Sequence, residues 1–375
     1  MPGGRTAGAD WGHRRPVDAS GHLRRSGDKA FLSIHFAHNP VAVSSLCPHT
    51  PAFRHSVHRL RDPEEFDIAV SGVRLTADFL APQKEATITE QFQAPDWAFD
   101  FHEAHVKARI RGPVPHGWMS IGFMHGLGAS AWYGVPAEAG TLACTPPGDS
   151  IDGCFSPGFV CTSLSMPFSV WERCRAIAGA ESPFGSGTVL QLPPPIFARL
   201  RRQLEESRTF LREASLRVEH SASAVATAAS LAADLATTAW ELFAGAPPPR
   251  ASFHNRARLA RRAEAWMRDR LAEPVRIPDL CLALRVSRRE LEYAFRSVFD
   301  QSPRDFLHAL RLNAIRHALR QAGRSGRKQT LLELELAHGV THAGRFAAQY
   351  RELFGESPAR TRMAGSGLAP RDSIA

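Results

Sequence analysis

Apolar residues follow two rhythms along this chain, and the rhythm changes near Pro167. Between residues 66 and 166 they form short runs bounded by turn residues: FDIAVSGVRL, ATITEQF, AHVKARI, GWMSIGFM, SAWYGV, GTLAC and GFVCTSLSM. Segments such as R-G-P-V-P-H-G and P-P-G-D punctuate them, so closely spaced strands forming a β-sandwich or small barrel are predicted. Trp118, Trp132, Phe123 and Phe159 supply its bulk. Beyond Pro167 the spacing turns helical, with one helix near 168–179 and longer ones over 195–245. There Leu200, Leu204 and Leu211, then Leu231, Leu235 and Leu242, recur at helical intervals. Residues 1–60 are rich in Gly, Pro, Ser, His and Arg without a period and are expected to be largely disordered. Ala246-Pro247-Pro248-Pro249-Arg250 opens a stiff linker over 246–256, the expected boundary between domains at 61–245 and 257–363. A disordered tail is expected over 364–375.

The last third contains an internal repeat at an offset of 55 residues. Phe295-Arg296-Ser297-Val298-Phe299-Asp300-Gln301-Ser302-Pro303 aligns with Tyr350-Arg351-Glu352-Leu353-Phe354-Gly355-Glu356-Ser357-Pro358, and Leu291 aligns with Phe346. A doubled supersecondary unit is implied. In the first copy Pro278 opens a short helix with Leu280, Cys281 and Leu284 inward, and Arg285-Val286 makes the turn. Ser287 caps the next helix, with Glu290 completing a capping box. Leu291, Ala294, Phe295 and Val298 form its buried stripe, leaving Arg288, Arg289, Glu292, Tyr293 and Arg296 outside. Ser302-Pro303 starts a connecting helix with Leu307, Leu310, Ala314, Ile315 and Ala318 on one side. The second copy places Leu332, Leu334 and Leu336 on a short helix, Gly339 in the turn and Thr341 at the cap. Phe346, Tyr350 and Leu353 bury the helix that follows, with His342, Ala343, Arg345 and Gln349 nearer solvent. Two capped helices, each braced across a tight turn, make a tandem helix-turn-helix. The outer face of each second helix suits the major groove of duplex DNA.

Residues 258–363 resemble the DNA-binding domain of the AraC family of bacterial transcription regulators. The resemblance rests on the word Ser287 through Phe295, on Ser302-Pro303, on Arg311-Leu312-Asn313-Ala314-Ile315-Arg316, and on Gly339 through Pro358. It implies that Ser287, Arg288, Arg289, Glu292, Tyr293 and Arg296 read bases. Thr341, His342, Ala343, Arg345 and Gln349 would form the second contact set, weighted towards phosphates and DNA shape because Ala343, Gly344, Ala347 and Ala348 are small. It also implies an α+β protein of two domains, in which a cupin-like β-barrel with packed helices senses a signal and precedes an all-α reading domain. Double-stranded DNA, RNA polymerase, a small-molecule effector and a second copy docked through the helices of 168–245 are the implied partners. Three departures stand out. Glu335 replaces a small residue and must snorkel outward or loosen its half, Val340 replaces Phe, and Arg285 occupies a turn position that favours glycine.

Charge sharpens the division. Residues 251–375 hold 23 basic and 13 acidic side chains, whereas the first 250 hold 23 and 24, so the whole net charge of +9 sits in the last third. A basic domain joined to a neutral one fits a polyanionic partner. No apolar run approaches the ~18 residues of a membrane span and no signal-type apolar segment opens the chain, so a cytoplasmic protein off the membrane is expected. Six cysteines without a C-x-x-C pair point to reduced core thiols. The alternative class is a cupin-type metalloenzyme. His102 and His105, three apart on a strand, face opposite ways, and neither a nucleophile elbow nor a phosphate loop occurs. No metal, cofactor or catalytic residue is therefore expected.

Overall fold

The computed structural model describes residues 53–126, 128, 130–179, 188–216, 222–244, 251–326, 329–340 and 343–365, with residues 222, 251–254, 343 and 344 described by their backbone only. Residues 1–52, the prolines of the expected linker, Thr341, His342 and most of the expected tail lie outside the described residues.

Two antiparallel sheets make the N-terminal half. The larger runs in the order β1 (Arg54–Leu60), β3 (Thr87–Ala94), β4 (Trp97–Ala104), β11 (Phe159–Pro167), β6 (Trp118–Met124), β9 (Thr141–Thr145) and β12 (Thr188–Gln191). The smaller runs β2 (Thr76–Phe79), β5 (Ala108–Pro113), β10 (Ser150–Phe155), β7 (Ser130–Trp132), β8 (Val135–Ala137). Both sheets are open at their edges, so the closed cupin-like barrel of the sequence reading is replaced by two facing sheets. The short strands β7 and β8 fold back across Tyr133 and Gly134, both at positive φ. That turn matches strand twist and ends the small sheet there instead of passing it on to the large one.

Other expectations change for local reasons. Residues 54–60, grouped with the disordered segment, are a strand paired along its length with β3. The run FDIAVSGVRL is not a strand. Asp62 and Glu65 form a capping box around a 3-10 helix over Pro63–Ile68, and Val70 and Val73 close a tight bridge around Gly72. Residues 251–256, expected in the linker, are the first turns of α4 (Ala251–Asp269).

Strand alternation gives the large sheet two unlike faces. Phe92, Phe99, Phe101, Ile121, Phe123 and Leu164 point to one side and pack against α1 (Phe168–Ala178), α2 (Pro194–Ser215) and α3 (Ala222–Ala244). Trp171 and Trp240 stack at 4.7 Å, and the Trp240 indole donates to the Trp171 carbonyl. Arg208 and Arg212 of α2 close on buried Glu90, whose carboxyl hydrogen bonds from these guanidiniums hold down to about 2 despite its burial. The other face carries Thr89, Gln91, Asp100, His102 and Ser163 and looks towards the small sheet. Cys144, Cys154, Cys161 and Cys174 are buried thiols, as the sequence suggested, and burial raises the pKa of each.

The remaining helices are α5 (Ile277–Leu284), α6 (Arg288–Phe299), α7 (Pro303–Ser325), α8 (Leu331–Ala337), α9 (Ala343–Phe354) and α10 (Pro358–Gly365). Of these, α6 and α7, together with α4, pack against the outer side of the small sheet, and the apolar cores cross the expected domain boundary. Leu80, Ala131 and Cys154 share a cluster with Leu291 and Phe295, and Leu60 and Phe66 share one with Leu312 and Phe346. No described helix is long and apolar enough to cross a membrane.

Asp100 is fully buried and accepts from Ser71, Gln91 and Ser163, with no cation among these partners. Burial pushes its carboxyl from 3.8 up to about 6. The folded chain holds this proton more tightly than the unfolded one, so stability from the group is full below about pH 4 and is lost as pH rises through 6. Asp100→Asn is expected to gain about 2–3 kcal/mol relative to wild type between pH 4 and pH 7, the constant effect of altered hydrogen bonds cancelling in the difference. Urea denaturation at the two pH values measures it.

Candidate nucleic-acid interface

Each reader begins with local chemistry. At α6 the Ser287 hydroxyl accepts from the Glu290 amide at 3.2 Å, while the Glu290 carboxylate accepts from the Ser287 amide at 2.8 Å. Donation from the Ser287 amide and hydroxyl holds the Glu290 carboxyl below its ordinary range. Leu291, Ala294, Phe295, Val298 and Phe299 are buried, as their spacing requires. Arg285, which ends α5, sits at φ 56°, ψ 48°, the left-handed conformation that disfavours a side chain. On the outer face Arg288, Arg289, Tyr293 and Arg296 are exposed and Glu292 is half-buried. The Arg289 guanidinium lies 5.4 Å from the centre of the Tyr293 ring and its Nη2 is 3.3 Å from the tyrosine hydroxyl, so the two side chains are presented as one unit.

The second reader, α9, buries Phe346, Tyr350 and Leu353 and leaves Arg345 exposed and Gln349 half-exposed. Gly339 supplies the turn at φ +66°, and a Cβ there would stand 2.6 Å from the Glu273 carbonyl oxygen. Only glycine serves both demands at once. Glu335 does not snorkel outward: it is buried, and desolvation raises its carboxyl pKa. Leu334 beside it fills the inward position, while Leu332 and Leu336 are exposed rather than shared with the core. Thr341 and His342 belong to the expected contact set but lie outside the described residues, and of Ala343 only the backbone is described.

Between the readers runs an open groove of about 580 Å³. Arg288 lines it from α6, and Arg345 and Gln349 line it from α9. Arg276, Arg304, His308 and Arg311 complete its floor. Arg304, His308 and Arg311 were missed in the sequence because the connecting helix was read for its apolar stripe alone, and Arg276 because it precedes Pro278, where the first short helix was expected to open. Arg304, His308 and Arg311 recur at i, i+4, i+7, and that basic period was the available signal. Arg311 also donates to the Glu273 carbonyl at 2.7 Å, tying the floor to the α4–α5 connection. Arg289 and Tyr293 lie outside the groove lining on the exposed face of α6. Arg296 departs from the set, for it borders a cleft with Ser130 and Glu138 of the N-terminal half.

The helices are held from behind by buried charge. Arg109 of β5, 2% exposed, gives Nε and Nη2 to Glu264 of α4 and Nη1 to Asp152 and to the Ile110 and Gly153 carbonyls. Glu264 is held down to about 2, the attraction of Arg109, Arg268 and Arg111 outweighing its desolvation. Lys107 donates to the Asp300 carbonyl and carboxylate, both at 2.9 Å, at the C-cap of α6. Arg316 of α7, fully buried, reaches Asp62, Glu64 and Glu356 at 2.6, 3.2 and 2.7 Å. Asn313 brackets the Phe79 backbone, accepting from its N–H at 3.0 Å and donating to its carbonyl at 2.9 Å. Among the described residues no group of histidine, cysteine and carboxylate side chains could hold a metal.

Residues 280–364 match the family model described as a helix-turn-helix domain. Residues 280–364 are an AraC-type helix-turn-helix domain. Over 89 residues the chain is 35% identical to the HTH-type transcriptional regulator CdhR of Pseudomonas aeruginosa, covering 24% of this chain and 25% of that protein. A stretch of 115 residues is 30% identical to the XylDLEGF operon transcriptional activator 3 of Pseudomonas putida, covering 30% and 34% of the two chains. The matched stretch thus spans about a quarter to a third of these relatives. A solved transcriptional regulator with an AraC-type DNA-binding domain, from Chromobacterium violaceum, is 27% identical over 29% of this chain and 93% of its own, with a TM-score of 0.27.

Arg285 offers a direct test of the turn in the first half of the AraC-type domain. Arg285→Gly is expected to raise stability by about 1 kcal/mol, because glycine adopts this backbone without the side-chain penalty. A shift of the urea midpoint at unchanged slope measures it.

Proposed function

We propose that this chain is a transcription regulator that recognises a specific duplex DNA sequence, its two recognition helices entering successive major grooves ~34 Å apart, under control of a signal received by the N-terminal half. The observation that carries this reading is the groove to which both readers contribute, lined by Arg276, Arg288, Arg304, Arg311 and Arg345. A concave surface with that charge attracts phosphate, and helices on either side of it present side chains to base edges. The division of labour follows from side-chain type. Arg289 and Glu292 on α6 can donate to guanine and accept from cytosine, and Tyr293 backs the arginine. Ala347 and Ala348 on α9 bring its backbone close without naming a base, leaving Arg345 to a phosphate.

RNA polymerase, a small-molecule effector and a second copy of the chain are further partners in this reading. The helices α2 and α3 would form the seam between copies. Support comes from the AraC-type domain and from the names of its relatives, which are transcriptional regulators and activators.

Selection of duplexes from a random pool at physiological salt tests the reading. One enriched sequence with two half-sites about a helical turn apart is expected, preferred by ~10³ or more over random DNA. A pool retained without sequence preference would refute it. On the selected site, Arg289→Ala is expected to cost ~1–3 kcal/mol at particular base pairs and relax specificity there. Arg345→Ala should instead weaken all sequences alike and lower the salt slope by ~1.

A further inference from the structure

A cavity of about 50 Å³ lies between the two sheets. Interiors seldom leave voids larger than a water, because the lining atoms lose their contacts outright. This space follows from composition: Gly122, Ala143, Ala104 and Ser120 line it from the large sheet, where longer side chains would fill it. Trp132 lines it from the small sheet and is 8% exposed. Its indole Nε1–H finds no acceptor among the described residues. The ring cannot readily swing away. It lies against Gly153, where a Cβ would come within 3.2 Å of it, and it stacks with Phe159 at 6.0 Å. Buried donors are nearly always paired, so this one calls for an acceptor that the described residues do not supply.

We propose that the cavity binds a small uncharged molecule with an apolar body and one hydrogen-bond acceptor for Trp132, and that the small sheet carries its occupancy to α6 through Lys107. The proposal rests on the reading above that the N-terminal half receives a signal, and it names the ligand class and the route. The size of about 50 Å³ allows roughly three to five non-hydrogen atoms, judged against the ~10–15 Å³ a single water needs. No lysine, arginine, aspartate or glutamate lines the space, and burial keeps His102 neutral by pushing its pKa down to about 4. An anion would be stripped of water with no cation to meet it. A pure hydrocarbon would leave the indole N–H unpaired.

The route follows from strand alternation. Ile110 and Phe155 face the cavity, whereas their neighbours Arg109 and Cys154 face the helices. Arg109 lies 5.6 Å from the ring of Phe299, the last residue of α6, and Lys107 grips the Asp300 cap that follows it. A molecule pressing on the inner side of this sheet therefore pushes on side chains that hold the end of the first reader.

The test uses the full chain with labelled tryptophan and backbone amides, titrated with cyclobutanone, cyclopentane and propionate, which match in non-hydrogen atom count. Cyclobutanone is expected to shift the Trp132 indole resonance, identified by its loss in Trp132→Phe. Cyclopentane should bind roughly ten-fold more weakly and the carboxylate not at all. Trp132→Phe should bring the two neutral probes level, and Ala143→Leu, which fills the space from the opposite wall, should abolish every response. Amides of Leu291 to Phe299 should move with cyclobutanone in wild type and cease to follow in Lys107→Met, where the Trp132 resonance still responds. A Trp132 resonance unmoved by both neutral probes, or a carboxylate that binds as well as the ketone, overturns the site. Amides of α6 that move equally in Lys107→Met overturn the route. None of these readouts involves DNA, so their failure is separate from a failure of the duplex selection.

Discussion

Arg109 imposes the constraint on which the two halves of the molecule depend. A guanidinium removed from water needs every N–H paired and its charge matched, and its partners come from three separate elements. Glu264 arrives on α4, Asp152 and the Gly153 carbonyl on β10, and the Ile110 carbonyl on β5 itself. Withdraw α4 and a buried cation loses its principal carboxylate, which is far more costly than losing an exposed pair. The sandwich and the helices are thus joined by a cluster that tolerates no half-docked arrangement. Asp78, Arg111 and Arg268 extend it, and the Asn313 side chain adds a strand-like pair of bonds at the edge of β2. Buried ion pairs of this kind contribute little net stability compared with apolar packing, but they fix orientation, and orientation is what two readers need.

The small sheet is consequently a wall with two different faces. Its inner residues are apolar and aromatic, and its outer face carries Asp78, Arg109, Arg111 and Asp152, all buried or half-buried. Ordinary antiparallel sheets place charge outward because water covers that side. Here the charge is outward because α4 supplies counter-charge.

That wall also explains why some of the protein was legible in its sequence and some was not. The tandem repeat could be read because its signals are local. A serine cap with its glutamate, an apolar stripe at i, i+3, i+4, i+7 and a turn residue all lie within a dozen positions, and Arg285 even shows the strained backbone its place in the turn suggested. The alternation Ala108-Arg109-Ile110-Arg111 reads as a half-exposed strand, and nothing nearby reveals that the partner of Arg109 stands 155 residues away. Likewise Glu335 looked destined for solvent, because a carboxylate is an improbable filler of a helix contact. FDIAVSGVRL failed for the opposite reason: its apolar content suited a strand, while the Asp62–Glu65 cap before it had already committed the chain to a helical turn.

The two readers are anchored differently, and this asymmetry has a mechanical consequence. At α6 the C-cap is gripped by Lys107, and the helix rests on α4, which is pinned to the small sheet through Glu264. At α9 the support is Arg316, which draws Asp62 and Glu64 from the other end of the N-terminal half together with Glu356 and lies 4.8 Å from the Phe354 ring. A displacement confined to β5 and β10 therefore reaches the first reader before the second. Since α7 joins them and its basic stripe floors the groove between them, moving α6 alone would, on the proposed reading, change the distance and angle at which the two helices meet successive grooves. Recognition by paired helices depends on both at once, so a small shift at one end of one helix is sufficient to alter the fit to an entire site.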